Sequence, residues 1–138
     1  MPIMTMTLSE YHEALSDQGV LMLEFTVLDL AMKCPMCGTI QSARDLIAAG
    51  AGKTFEEVEK FLGFSCVGRW THGNPPPEVK GTQSGCNWTL GGLFRTHELE
   101  VVTPDGRRHM RFMPCTPEEA QTHAKRNRVV SPPEVLDA

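Results

Sequence analysis

The sequence has no long apolar run, no surplus of positive charge and no internal repeat, and each shortage removes a class of function. The best candidate for a membrane span, residues 20–32, is interrupted by Glu24 and Asp29, short of the roughly 18 apolar residues such a span needs. Residues 1–8 hold no basic side chain ahead of an apolar stretch, so no secretory signal is expected and the setting it points to is the cytoplasm. The 13 Lys plus Arg are outnumbered by 17 Asp plus Glu, a formal net charge of -4, which weakens any case for nonspecific binding to a phosphate backbone. No Ser/His/Asp or Cys/His set can be assembled, and the acidic run Glu56, Glu57, Glu59 is most simply the solvated face of a helix. An enzyme is not indicated.

At 138 residues, 41% of them hydrophobic, the chain has the size and apolar content of one domain. We expect that domain to occupy residues 1–127, with a loose tail over 128–138 where Pro132-Pro133 breaks any periodicity. Charge is uneven: residues 1–66 carry 4 basic and 9 acidic side chains, residues 67–138 carry 9 and 8.

Four capping boxes, in which a Ser or Thr hydroxyl accepts from the third helical amide while an acidic side chain reaches back, mark helix starts. They are Thr7/Glu10, Ser42/Asp45, Thr54/Glu57 and Thr116/Glu119. Gly19, Gly50 and Gly63 supply stops for the first three helices, and the last is expected to run to about Arg126. Ala49-Gly50-Ala51-Gly52-Lys53-Thr54 resembles the end of a phosphate loop, but Ile47 stands where that pattern needs glycine, so it reads as a helix stop followed by a cap. Strands are expected over 21–28, 64–71, 86–94, 98–103 and 107–114, the last two joined at Pro104-Asp105-Gly106. The loop 73–85, with Pro75-Pro76-Pro77, should be stiff and exposed. The fold class is therefore α+β: a small antiparallel sheet with short flanking helices.

The strongest local signal is Cys34-Pro35-Met36-Cys37-Gly38, two thiolates on a tight turn whose glycine can take the positive φ that closes a metal knuckle. Cys66 and Cys86, each in an apolar setting, complete a set of four ligands for one structural Zn2+, a split zinc-ribbon arrangement. His72 and Cys115 are rival ligands; His97 and His109 have no partner at ligand spacing. The same Cys-x-x-Cys pair could be a redox dithiol, or an iron site, although Gly38-Thr39-Ile40-Gln41 separates it from the next helix cap. Four thiolates would saturate a tetrahedral ion and leave no position for substrate. Outside this site, Arg69, Trp70, Arg95, Arg107, Arg108 and Arg111 could form a basic surface with an exposed indole, suited to a nucleic-acid strand or an acidic protein, and Lys125 and Arg126 continue the trend.

Through Cys34-Pro-Met-Cys-Gly, Gln41, Cys66-Val-Gly-Arg69 and Gly85-Cys86-Asn-Trp88 leading into Gly91-Gly92-Leu93-Phe94, the chain resembles a family of small zinc-ribbon-like proteins encoded by phages and prophages, over about residues 5 to 115. The resemblance implies a phage origin and the same four cysteines. From it follow two expected functions: a non-catalytic, protein-binding inhibitor of host defence, of the anti-CRISPR type, or a nucleic-acid-binding accessory protein.

Overall fold

In the computed structural model, residues 4–20, 24–90 and 99–130 are described. Each of the four predicted caps starts a helix. Thr7 opens α1 (Leu8–Asp17), Ser42 opens α2 (Ala43–Ala48), Thr54 opens α3 (Phe55–Leu62) and Thr116 opens α4 (Pro117–Val130). In three of them the acidic residue closes the box on the cap amide. In α3 the Glu57 carboxylate instead accepts from the Lys53 amide at 2.7 Å, one residue further out. Gly50 takes φ +94 after α2, as a helix stop requires, which disposes of the phosphate-loop reading. The last helix continues to Val130, past the Arg126 at which it was expected to end.

The α+β class forms as expected, but in two small sheets instead of one. A mixed sheet has the order β1 (Met4–Thr7), β4 (Leu99–Val102), β5 (Arg108–Arg111), with β1 parallel to β4. The predicted hairpin is its antiparallel half, pairing Leu99 with Arg111 and Val102 with Arg108, and Gly106 at φ +86 turns the corner. An antiparallel sheet has the order β3 (Ile40–Ser42), β2 (Ala31–Lys33), β6 (Met113–Pro114). The chain passes from β5 to β6 through Phe112, whose fully buried ring anchors the crossover.

Three expected strands are corrected. Within 21–28, residues 21–23 fall outside the described residues, and the rest leads into a 3-10 turn at Val27–Asp29, where Thr26 and Asp29 make a fifth capping box that the sequence reading missed. Residues 64–71 make one isolated bridge, Ser65 to Thr89, and then a 3-10 turn at Val67–Trp70. Residues 86–90 supply the other side of that bridge, while 91–94 lie outside the described residues. Beyond that bridge the two backbones cross closely at Gly68. A Cβ on Gly68 would sit 2.2 Å from the Cys86 amide nitrogen.

The main core runs from Tyr11 and Met32 through Leu46, Val58 and Leu62 to Leu99, Val101 and Phe112, and the four sulfurs are part of it. A second, smaller cluster of Ala31, Cys115 and Ala120 lies under α4. Among the described residues no helix is long and apolar enough to cross a membrane.

Candidate metal centre

The knuckle is the turn between β2 and β3, whose register pairs Lys33 with Ile40. Cys34 donates its amide to Thr39 C=O at 3.0 Å, the Gly38 amide donates to Cys34 C=O at 2.9 Å, and Gly38 takes φ +77. These bonds point both thiols to the inner side of the turn. Cys66 arrives just after the Gly63 stop of α3, fixed by its amide to Trp88 C=O at 2.9 Å. Cys86 follows Gly85 at φ +83, and its amide donates to Cys66 Sγ at 3.2 Å. Gly68 and Gly85 therefore do one job together: a Cβ on Gly85 would lie 2.9 Å from Gly68 Cα, so only paired glycines let the Cys66 and Cys86 segments cross this closely.

The four sulfurs of Cys34, Cys37, Cys66 and Cys86 lie within 4.8 Å of one another, and all four residues are buried. Cys34 to Cys86 is 3.8 Å and Cys37 to Cys66 is 3.7 Å. A tetrahedron with metal–sulfur bonds of about 2.3 Å has an edge of about 3.8 Å, so the donor set fits one tetrahedral thiophilic ion. These are not disulfide distances, and all five cysteines are free thiols. Zinc and iron share this donor geometry, so the arrangement is that of a metal site without naming the metal.

Electrostatics lead the same way. Hydrogen bonds from Cys34 and Cys66, opposed by burial, pull the Cys37 thiol well below its usual range. Its neighbours go up: Cys34 because its proton is held in hydrogen bonds to Cys37 and Cys66, and Cys86, to about 12, chiefly through burial. Crowding the four thiols together thus favours the charged form of one and the neutral form of the others. Four thiolates require a cation among them.

The rival ligands are occupied elsewhere. His72 Nε2 lies 2.9 Å from Ser84 C=O, to which it donates, and its Nδ1 accepts from the Asn74 amide at 2.9 Å, so both ring nitrogens are used. Cys115 belongs to the smaller cluster under α4, where burial raises its thiol to about 12. His109 sits on β5, outside the sulfur group, and His97 lies outside the described residues. The proline loop is tied down over the knuckle: the Gly81 amide donates to Cys37 C=O, and the Gly85 amide to Thr39 Oγ1, at 2.9 and 2.8 Å.

One residue that frames the site had no role assigned to it from sequence. Gln41 is fully buried at the centre of β3, donates to Leu62 C=O and Ser65 C=O at 2.9 and 2.8 Å, and accepts from the Val67 amide at 2.6 Å. It thereby holds the turn that presents Cys66. Gln18 does the same elsewhere, spanning Ala31 and Cys115 C=O with its side chain. No local pattern marked either glutamine, since both stand among mostly polar or small neighbours, Thr39-Ile40-Gln41-Ser42 and Ser16-Asp17-Gln18-Gly19.

The expected basic surface is largely spent on local partners. Arg107 pairs with Asp105 at 3.3 Å and Arg108 with Glu100 at 3.1 Å, both on their own hairpin. Arg69 donates to Asn87 C=O at 3.3 Å. Trp70 is half-buried with its ring centroid 4.8 Å from that of Phe61, not the free indole anticipated. Arg111 turns its guanidinium over Phe64, and Arg95 lies outside the described residues.

No curated protein and no solved structure matches the chain. One family profile does, over residues 7–115, a span that takes in the whole sulfur cluster and stops just before α4. On that match the chain belongs to the VVA0879-like family.

Proposed function

We propose that the four cysteines hold one zinc ion in a purely structural role, and that the chain works by binding a protein partner and not by catalysis. The observation that carries the metal reading is the convergence of four buried sulfurs, two pairs of them 3.7 and 3.8 Å apart, from three separate stretches of chain. With every tetrahedral position filled by thiolate, the ion has no vacancy for water or substrate and cannot act as a Lewis acid. The knuckle on the β2–β3 hairpin is the half of a zinc ribbon that this reading needs, and the Gly68/Gly85 crossing supplies the other two sulfurs without a second knuckle.

The choice of a protein partner over nucleic acid rests on charge. The net charge is -4, and Arg107 and Arg108, central to the alternative surface, already face carboxylates. The finer form of this reading, a phage-encoded inhibitor of host defence, draws on the family resemblance in the sequence. Metal analysis of purified protein tests the first half: about one zinc per chain, lost in Cys34→Ser. Titration with single- and double-stranded DNA and RNA at two salt concentrations tests the second. Binding with a steep salt slope would replace the protein-partner reading with the nucleic-acid one.

A further inference from the structure

A large cavity lies away from the sulfurs, between α1, the segment before β2, and α3, with a volume of about 930 Å³. That is within the range of small-molecule sites. Its body is apolar, walled by Leu8, Leu15, Phe25, Leu30 and Phe55. One corner is polar and kept open by the absence of a side chain at Gly63. A Cβ there would stand 2.9 Å from Tyr11 Oη, 3.6 Å from Arg111 Cδ and 3.7 Å from Met32 Cε, so the phenol and the stem of Arg111 meet at that point.

Both groups have unspent hydrogen-bonding capacity. Tyr11 is only 8% exposed, yet its hydroxyl donates to nothing better than Met32 Sδ at 3.7 Å, a weak acceptor. Arg111 donates to Met110 C=O at 2.7 Å, one use of five N–H groups, and no ion pair to a carboxylate is found for it among the described residues. On the rim, Glu59 and Lys60 contribute opposite charges, so Arg111 sets the sign. Arg111 and Tyr11 line the same cavity, and the Arg111 charge acts on the phenol, so a cation with N–H groups to spare and a hydroxyl donor are both within reach of a carboxylate placed there.

We propose that this cavity binds a small amphipathic monocarboxylate, its carboxylate held by Arg111 and the Tyr11 hydroxyl and its hydrocarbon body lying along the α1 and α3 wall. A free small acid fits better than the end of a peptide. The wall is mainly two helices whose backbone groups are used internally, which would leave a peptide main chain without partners.

Calorimetric titration of the full, metal-loaded chain with sodium octanoate and with 1-octanol separates the charge from the chain. We expect octanoate to saturate at one per chain. Arg111→Gln should weaken it at least about tenfold and leave octanol unchanged, while Tyr11→Phe weakens octanoate less, in the same direction. Gly63→Ala, which fills the corner, should abolish octanoate binding. Metal content and near-ultraviolet circular dichroism identify variants that have simply failed to fold; if Arg111→Gln is one of these, Tyr11→Phe and Gly63→Ala carry the test. No saturable octanoate binding, octanol binding as tightly as octanoate, or folded Arg111→Gln and Gly63→Ala proteins with wild-type affinity would each overturn the proposal. A short apolar peptide with a free C-terminus that competes tenfold more tightly than its octanoate counterpart would overturn the choice of a small acid.

Discussion

The sulfur cluster and the α4 face each hold distant parts of the chain together, by opposite means. Around Cys66 and Cys86 the backbone has almost no regular structure, one isolated bridge and a 3-10 turn, and two glycines let the segments cross closely. Under α4 the helix itself is regular, and it is docked by side chains: buried Ala120 and Ala124, Gln121 to Gln18 C=O at 2.8 Å, Lys33 to Glu119 at 2.6 Å, and His123 and Asn127 to Asp45 at 2.5 and 3.0 Å. Where a regular ladder is missing, the proposed coordination would supply the cohesion. Where a regular helix is present, several modest contacts suffice. The family profile follows the same division, covering the first region and ending before the second.

The largest effect should come from removing the metal proposed for the first region. Structural zinc carries an apparent binding free energy of about 10–16 kcal/mol, against a net domain stability of about 5–15 kcal/mol. Chelation, or Cys66→Ser, should therefore abolish the cooperative thermal transition; a metal-free sample melting at the wild-type temperature would erase the contrast with α4. Next, Gly68→Ala forces a methyl group to within 2.2 Å of the Cys86 amide and should cost about 3 kcal/mol or more, with weakened cobalt(II) uptake as the second readout. Gln41→Leu keeps the volume but leaves the Val67 amide and the Leu62 and Ser65 carbonyls without their partner. It should lower stability by about 2 kcal/mol in a denaturant melt.

The smallest effect belongs to α4. Burial alone would raise the Asp45 carboxyl, but the hydrogen bond and charge of His123, with the Ser42 amide and hydroxyl, outweigh it and hold the group below the ordinary carboxylate value. A carboxylate lowered in the fold contributes stability above its unfolded value near about pH 4, and that contribution is lost as pH falls through the folded value. Asp45→Asn should remove about 1 kcal/mol at neutral pH, flatten the acid limb of the stability profile, and leave the metal content unchanged. Loss of metal from this variant would mean that the two regions are not separable.

The helices were legible residue by residue because a cap is local chemistry. Thr7, Ser42, Thr54 and Thr116 each act on an amide three positions away, and no distant contact is needed to predict that. The hairpin was legible for the same reason, since Pro104-Asp105-Gly106 turns the chain by itself. The strand over 64–71 and the described part, 86–90, of its neighbour were misjudged because apolar content reports burial, not pairing, and the crossing of Gly68 over Gly85 is a contact across 17 positions that no local pattern encodes. The parallel strand Met4–Thr7 escaped notice likewise, its partner lying at Leu99.

The sequence by itself determined where helices begin, where the hairpin turns, and which side chains are capable of holding a soft metal ion. Only the tertiary structure decided that the four sulfurs meet, that Gln41 braces the turn presenting one of them, and that Arg111 and Tyr11 line one cavity. The reason is physical: caps and turns depend on neighbours within one turn of chain, whereas burial, convergence and spare hydrogen-bonding capacity depend on what the rest of the fold brings alongside.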